Sequence, residues 1–479
     1  MTARLLVLFL CLGKAYDILN IYQQAHYHIK SYLKHYFLNA FYTIIMPIAL
    51  ILVAHFYNVV GYFFLPIVII YSYFLFLKPK VKLKFSKRIK LLIPANLIIG
   101  LILFVRFYYL FILYEYLFVG FLYLNIFIFS LINKKYLRLA KKKASKCDKL
   151  VIGITGSAGK TSTKWLLYNI LKEFYDVSTP DNSINTPLGI ASFINNGGLN
   201  ADIIVLEYGI SKKRDMDKLL AIIKPNIGIL TGVLPMHMDG FKNEEEVFKE
   251  KIKLLNASKI TIANYDYEII RNNFSADFSY GTDYGNYSFE ILNDNPITIK
   301  TFNCLFKSNL VGYVQAYNIM AVLCVAKYLK LDLNIVNNIL GGITNYNHRL
   351  KIDGDKHIII DDSYNSNIVG FKNALKALKE QKGAKILLTP GIVELGKYKK
   401  RIYEELCSSI VYNADYCILV GKHLNRFYYL LKKFAIRVYL VSSFKEGFRL
   451  AKSIASSYEY SAILIENDLP DLYKIGFKI

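Results

Sequence analysis

A glycine-rich segment, Gly153–Ser162, carries the residue types that bind phosphate groups. It follows an apolar run that predicts a buried strand and precedes Thr163–Phe174, which predicts a helix. A turn between a strand and a helix lets backbone N–H groups surround phosphate oxygens, while Lys160 adds a positive charge and the Thr161 hydroxyl can bind magnesium. The strict P-loop pattern has a glycine six residues before the lysine, where this chain has Ile154, so the loop is a variant.

Polar residues at the ends of apolar strands are the next candidates, because ligands bind at the carboxyl ends of parallel strands. Glu207 ends one predicted strand, His237 lies just beyond the next, and Asp361 with Asp362 ends a third. Each of these residues alone is as typical of a helix cap or of the surface as of a site. Together with the glycine-rich loop, they indicate a nucleotide and magnesium site.

The elements that position these residues follow from the alternation of strands and helices after Lys149, which predicts parallel α/β sheets. Two alternating sets are separated by a boundary near Asn345–Arg349. A more polar stretch, Tyr280–Lys307, interrupts the first set and predicts a small antiparallel excursion.

The first third of the chain is different, with two long apolar stretches, Phe37–Leu77 and Ile89–Ile132. Each is about twice the roughly 20 residues that a membrane-crossing helix needs. We therefore expect an α-helical membrane region, residues 1–147, with about four spans near 39–56, 60–77, 91–109 and 112–132. Basic residues follow each stretch, so the positive-inside rule predicts a multi-pass protein of the cytoplasmic membrane with its catalytic domains in the cytoplasm.

The formal net charge of +24 is compatible with nucleic acid, an anionic membrane or phosphorylated substrates as partners. The charge is concentrated beside the apolar segments and no aromatic-basic recognition motif is present, so we expect the membrane as partner and no nucleic acid. The six cysteines lack Cys-x-x-Cys spacing, which indicates neither a zinc site nor a disulfide framework.

From about residue 148, the chain resembles the Mur ligase superfamily, and most of all the UDP-N-acetylmuramoyl-tripeptide–D-alanyl-D-alanine ligase branch. The resemblance depends on the order of these motifs: Gly153–Thr161, Glu207-Tyr-Gly209, His237 with Lys251 fourteen residues later, Tyr317-Asn318, His348-Arg349-Leu350, Asp361–Asn365 and Glu394-Leu395-Gly396. It implies a P-loop central ATP-binding domain, residues 148–346, and a Rossmann-like C-terminal domain, residues 347–479.

The resemblance also implies the roles of single residues. The ATP phosphates would bind to the loop, namely Gly156, Ser157, Ala158, Gly159, Lys160, Thr161 and Ser162. Asn318 matches an adenine contact, Arg349 a contact to the γ-phosphate at the interdomain hinge, and Asp362 a position near the ribose or hinge.

Two magnesium ions are implied, the first held by Thr161 and Glu207 and the second by His237. Lys251 matches a lysine that members of the superfamily carbamylate, which turns an ammonium into a carboxylate that supports the metal. The implied catalytic residues are Lys160, His237, Lys251 and Arg349.

The implied activity is ATP-dependent amide formation through an acyl phosphate, in the synthesis of peptidoglycan or another envelope polymer at the membrane. The expected carboxylate substrate is lipid-linked or UDP-linked, and membrane helices in place of a soluble first domain favour the lipid-linked or another membrane-bound form. The expected amine is an amino acid or a dipeptide. A poly-γ-glutamate-like synthetase is an alternative. A nucleotide-driven membrane transport or scaffold component is another, and ATP hydrolysis without an amide product would favour it.

Overall fold

The computed structural model describes residues 111–181, 183–236, 238, 240–346, 348–364, 367–392 and 395–467, with residues 19, 22, 23, 89, 90, 92–94 and 98. Side chains are described from residue 123 onward in the first helix. By its packing, the chain divides into two compact units, 1–134 with 469–479, and 135–468.

The first described helix, α1, spans Phe111–Ala144. In the described part of the chain, no helix is long and apolar enough to cross a membrane.

The predicted fold class is therefore wrong in its membrane region, and the predicted location in the cytoplasmic membrane is wrong with it. Of the four expected spans, 112–132 lies in α1. The spans 39–56 and 60–77, and nearly all of 91–109, lie outside the described residues.

The first α/β domain is built on a seven-stranded parallel sheet with the strand order β2-β3-β1-β4-β5-β6-β7. Its strands are β1 Leu150–Thr155, β2 Val177–Ser178, β3 Ile203–Glu207, β4 Ile227–Leu230, β5 Ile260–Asn264, β6 Phe278–Gly281 and β7 Tyr287–Ser288. The central strands are apolar on both faces, as expected for a parallel sheet that helices cover on both sides.

Helices cover the two faces of this sheet and form two cores. They are α2 Lys160–Leu171, α3 Pro187–Asn195, α4 Asp215–Leu220, α5 Glu244–Asn256, α6 Glu268–Arg271, α7 Val314–Tyr328 and α8 Leu333–Gly342. Alternation along β1 divides its side chains, since Ile152 and Ile154 pack with α2 and α7 while Val151 packs with α3 and α5.

The polar excursion forms a three-stranded antiparallel sheet, β8 Glu290–Asp294, β9 Ile297–Thr301 and β10 Cys304–Lys307. The prediction of a small antiparallel element is thus confirmed for 290–307. Its first part is different, because β6 and β7 continue the parallel sheet.

The second α/β domain has a six-stranded sheet with the order β11-β12-β16-β13-β14-β15, in which only β11 is antiparallel to its neighbour. Its strands are β11 Lys351–Asp353, β12 His357–Asp362, β13 Ala384–Thr389, β14 Tyr416–Val420, β15 Arg437–Val441 and β16 Ser461–Glu466. Its helices are α9 Ile368–Lys379, α10 Lys399–Asn413, α11 Asn425–Leu431 and α12 Phe444–Ala455. The predicted P-loop and Rossmann-like α/β architecture is confirmed.

Candidate functional site

The glycine-rich loop connects β1 to α2 and is held by the segment that follows β4. The Ser157 N–H donates to the Gly232 carbonyl at 2.8 Å. The Ser157 hydroxyl lies 3.2 Å from the Leu234 carbonyl and accepts a hydrogen bond from the Leu234 N–H at 2.9 Å. Since β1 and β4 are neighbours in the sheet, these contacts fix the loop at the carboxyl edge of the strands.

Two glycines of the loop lie where no side chain fits. A Cβ atom at Gly156 would be 1.9 Å from Oγ1 of Thr231, and one at Gly159 would be 2.4 Å from Oδ1 of Asn318. Gly159 also has a φ of +82°, in the left-handed region that favours glycine. The loop backbone thus packs closely on the domain beneath it, in the tight turn that a phosphate-binding loop needs.

Lys160, the first residue of α2, folds back across the loop, and its ammonium donates to the Gly156 carbonyl at 2.6 Å. Burial, opposed by the carboxylate of Glu207 and reinforced by the positive charge of Arg349, lowers the pKa of Lys160 to about 8. A partly desolvated ammonium beside a glycine-rich turn is a strong point charge for a phosphate group.

Thr161 and Glu207 lie side by side under the loop. The Thr161 hydroxyl donates to Oε2 of Glu207 at 3.2 Å. The other carboxylate oxygen, Oε1, is buried without a hydrogen bond and lies 3.2 Å from Nζ of Lys164, close enough for an ion pair but outside hydrogen-bond alignment. A hydroxyl and a buried carboxylate with an unused oxygen fit a magnesium ion, which prefers oxygen ligands.

Arg349, from the segment between the two sheets, reaches the same place. Its Nη2 atom lies 3.5 Å from Oγ1 of Thr161, and its guanidinium lies 4.4 Å from the ring centroid of Tyr364. The Nε atom of Arg349 is buried and has no hydrogen-bond partner in the described part of the chain. The second domain therefore supplies a cation with free donor capacity at the loop of the first.

Lys251 lies on α5 with only 3% of its surface exposed. Burial holds the pKa of its amine well below the usual lysine value, and the charge of Lys160 adds to the effect. Burial thus favours the neutral form of this amine, which is the form that can act as a nucleophile.

Asn318 and Asp362 lie beside the site with their polar groups engaged. The Asn318 side chain donates to Oε1 of Gln315 at 2.8 Å and its Oδ1 accepts from the Thr163 hydroxyl at 3.2 Å, so it supports the loop at Gly159. Asp362 accepts the Leu350 N–H at 3.1 Å at the start of the second sheet, and burial raises its pKa to about 6.

The structure thus brings Lys160, Thr161, Glu207 and Arg349 together and places Lys251 within electrostatic reach of Lys160. His237, the predicted ligand of a second metal, and Glu394 lie outside the described residues. Within the described ranges, no three His, Cys, Asp or Glu side chains cluster as metal ligands. The individual roles of the site residues remain predictions.

Sequence reasoning missed three residues at the site. Lys164 pairs with Glu207, Tyr364 packs against Arg349, and the Thr231 hydroxyl contacts the Ala158 carbonyl of the loop. Lys164 lies one helical turn after Lys160, and this spacing was the signal that could have identified it from the sequence. Tyr364 is part of the motif that begins at Asp361.

The family model described as Mur ligase middle domain matches residues 154–326, and that described as Mur ligase, glutamate ligase domain matches 348–464, together more than half of the chain. The UDP-N-acetylmuramoyl-tripeptide–D-alanyl-D-alanine ligase of Bacillus subtilis is 26% identical over 287 residues, which cover 57% of this chain and 63% of the relative. The chain thus matches less than two thirds of the length of this curated relative.

Solved structures show the same fold. The MurF ligase of Thermotoga maritima, in complex with ADP, has a TM-score of 0.63 at 24% identity and covers 71% of this chain and 81% of its own. MurF of Acinetobacter baumannii has a TM-score of 0.63 at 19% identity, with 72% and 79% covered. The resemblance seen in the motifs, to a ligase of Mur type, is confirmed at the level of the family: the chain belongs to the Mur ligase family and carries its middle domain followed by its glutamate ligase domain.

Proposed function

We propose that this chain is an ATP-dependent ligase that forms an amide bond between a carboxylate and an amine in peptidoglycan synthesis. The observation that carries the proposal is the convergence of Lys160, Thr161, Glu207 and Arg349 at one glycine-rich loop. Relatives named for joining D-alanyl-D-alanine to a UDP-N-acetylmuramoyl tripeptide support this pair as the first substrates to test.

The reaction joins groups that repel each other, because a carboxylate oxygen must attack the γ-phosphorus of ATP. The new bond forms as the bond from this phosphorus to the bridging oxygen breaks, which releases ADP and leaves an acyl phosphate. The amine then attacks the carbonyl carbon, phosphate leaves, and the amine nitrogen loses a proton.

The residues of this chain would lower the electrostatic barrier. Lys160 and Arg349 approach the loop from opposite domains and would neutralise phosphate oxygens. Thr161 and Glu207 would hold a magnesium ion, which supplies further positive charge to the phosphate oxygens when bound. The unused Oε1 oxygen of Glu207 and the unused Nε donor of Arg349 support this fit.

Lys251 would add a carboxylate to the site through carbamylation. A neutral amine can attack carbon dioxide, forming an N–C bond and releasing a proton, and burial favours the neutral form of the Lys251 amine by lowering its pKa well below the usual lysine value. The product is an anion that would support the second metal ion.

The expectation of a lipid-linked carboxylate rested on membrane helices, and among the described residues no helix is long and apolar enough to cross a membrane. The amine substrate separates the two enzymatic alternatives, because a dipeptide fits a muramoyl-tripeptide ligase and a single amino acid fits a poly-γ-glutamate-like synthetase.

The test is a screen for ADP release and amide product with the full chain over pairs of carboxylates and amines, including UDP-N-acetylmuramoyl tripeptide with D-alanyl-D-alanine. Lys160→Ala should abolish both signals, and Lys224→Ala, at an exposed position, serves as the matched control. Full activity of Lys160→Ala would refute the site. ADP release without any amide product would refute the ligase and favour transport or scaffolding.

A further inference from the structure

A cavity of about 310 Å³ opens along α2, beside the phosphate-binding loop. Thr161, Lys164, Trp165 and Tyr168 line it from one face of the helix, as their spacing of three, four and seven residues requires. Tyr346, from the segment between the two sheets, lines it as well. The volume is at the lower end of the roughly 300–1,000 Å³ of small-molecule sites.

The cavity is lined by one cation, Lys164, whose side chain is only 5% exposed, and by one carboxylate, that of the exposed residue Asp181. Its ammonium donates to the Pro180 carbonyl at 2.9 Å and lies 3.2 Å from Oε1 of Glu207. Lys164 is therefore held between the predicted magnesium carboxylate and the cavity, with an ammonium suited to a carboxylate group of a ligand.

Aromatic rings form another part of the lining. The rings of Trp165 and Tyr346 have centroids 5.8 Å apart at an angle of 52°, and both residues are half-buried. Such rings offer flat apolar surfaces with a polar edge, which suit the side chain and amide groups of a peptide. The lining thus matches an anionic group attached to a peptide-like body.

The cavity lies on the side of α2 away from the predicted adenine contact. Thr163 hydrogen-bonds to Asn318 from one face of the helix, whereas Thr161 lines the cavity and contacts both Glu207 and Arg349. A ligand in the cavity would therefore lie next to the γ-phosphate position without occupying the nucleotide site.

We propose that this cavity receives the terminal residue of the acyl substrate, the one whose carboxylate is activated, and that Trp165 and Tyr346 determine its specificity. Lys164 contacts the negative charge of this residue, and the two rings select its side chain. The inference rests on the proposed ligase function and adds the position and the selecting residues of its carboxylate substrate.

Trp165 is the only tryptophan of the chain, so tryptophan fluorescence of the full chain reports on the surroundings of this one lining residue. UDP-N-acetylmuramoyl tripeptide should change the emission in a saturable way, whereas a non-hydrolysable ATP analogue alone should leave it nearly unchanged. The opposite pattern, with a response to the analogue and none to the tripeptide, would overturn the proposal.

Kinetics of the variants complete the test. Tyr346→Ala should raise the KM of the carboxylate substrate roughly tenfold and leave the KM of ATP unchanged. Tyr175→Ala, a partly exposed tyrosine that does not line the cavity, is the matched control, and thermal unfolding checks that both variants fold. If Tyr346→Ala forms the amide product with an unchanged KM for the carboxylate substrate, the cavity assignment is wrong and the ligase function stands. If no pair of substrates gives an amide product, the ligase function is wrong as well.

Discussion

Gly159→Ala tests whether the shape of the phosphate-binding loop depends on its close packing. The residue has a φ of +82°, and placing an alanine there costs about 1–2 kcal/mol. The new Cβ atom would lie 2.4 Å from Oδ1 of Asn318, so the amide must move. Each hydrogen bond lost in that movement, to Thr163 or Gln315, costs about 1 kcal/mol. We expect a total loss of about 2–4 kcal/mol in the free energy of unfolding.

Urea unfolding followed by Trp165 fluorescence measures this loss, because Trp165 lies on the helix that begins at the loop. In an Asn318→Ala background the contact with Oδ1 is gone and only the backbone strain remains, so Gly159→Ala should then cost about 1–2 kcal/mol. The difference between the two backgrounds measures the contact itself.

Gly341→Ala is the matched control, since a Cβ atom there has no neighbour within 4 Å and the residue lies within α8. It should leave stability unchanged or raise it by up to about 1 kcal/mol. The reasoning would be refuted by a cost below about 0.5 kcal/mol for Gly159→Ala together with unchanged ATP turnover, or by equal costs in the two backgrounds.

Three further substitutions test the charges of the site. Glu207→Gln removes the carboxylate beside Thr161 and should raise the Mg²⁺ concentration for half-maximal activity about tenfold, measured by Mg²⁺ titration; an unchanged requirement would contradict the metal assignment. Lys251→Met should abolish ADP release while melting at the same or a higher temperature, because an apolar side chain replaces a buried amine; a destabilised but active variant would contradict the catalytic role. Burial raises the pKa of Asp362 from 3.8 to about 6, so the folded state binds a proton at this carboxylate more tightly than the unfolded state does. The contribution of this group to the free energy of unfolding is therefore full below about pH 4 and is lost as the pH rises through 6. Asp362→Asn should flatten this slope in urea unfolding measured from pH 4 to 7, and an unchanged slope would assign it to other groups.

Much of the fold was predictable because buried parallel strands are continuous apolar runs. The buried strand predicted before the glycine-rich loop is β1, Leu150–Thr155, in the structure. The helix predicted from Thr163 begins three residues earlier, at Lys160, because Gly159 in the left-handed conformation ends the turn there. The hydrophobic periodicity of a helix does not predict the φ angle of a single residue, so the start of this helix was missed.

The membrane region could not be predicted in the same way. Apolar composition indicates that a helix is shielded from water, but it does not indicate whether lipid or other parts of the protein shield it. Similarly, the contacts of Trp165 with Tyr346 and of Arg349 with Thr161 join residues that are far apart in the sequence and meet only through the fold. Spacing motifs predicted the chemistry of the loop, while the cavity beside it was visible only in three dimensions.

The segment between the two sheets connects the cavity to the phosphate-binding loop. Tyr346 lines the cavity, and three residues later Arg349 contacts Thr161. His348 and Leu350, on either side of Arg349, have φ angles of 60° and 57°, a left-handed backbone that non-glycine residues adopt only when their surroundings enforce it.

The surroundings that enforce it include the second sheet and Asn345, whose side chain donates to the Arg349 and Leu350 carbonyls at 3.0 and 3.1 Å. The His348 ring contacts the Asp361 carboxylate at 2.7 Å, and the Leu350 N–H donates to Asp362 at 3.1 Å. Arg349 is thus held at the junction of the two domains by contacts with both, and the Tyr346 ring, three residues before it, lines the cavity beside the loop. Filling of the cavity by the carboxylate substrate would therefore act on the same short segment that places the cation at the γ-phosphate.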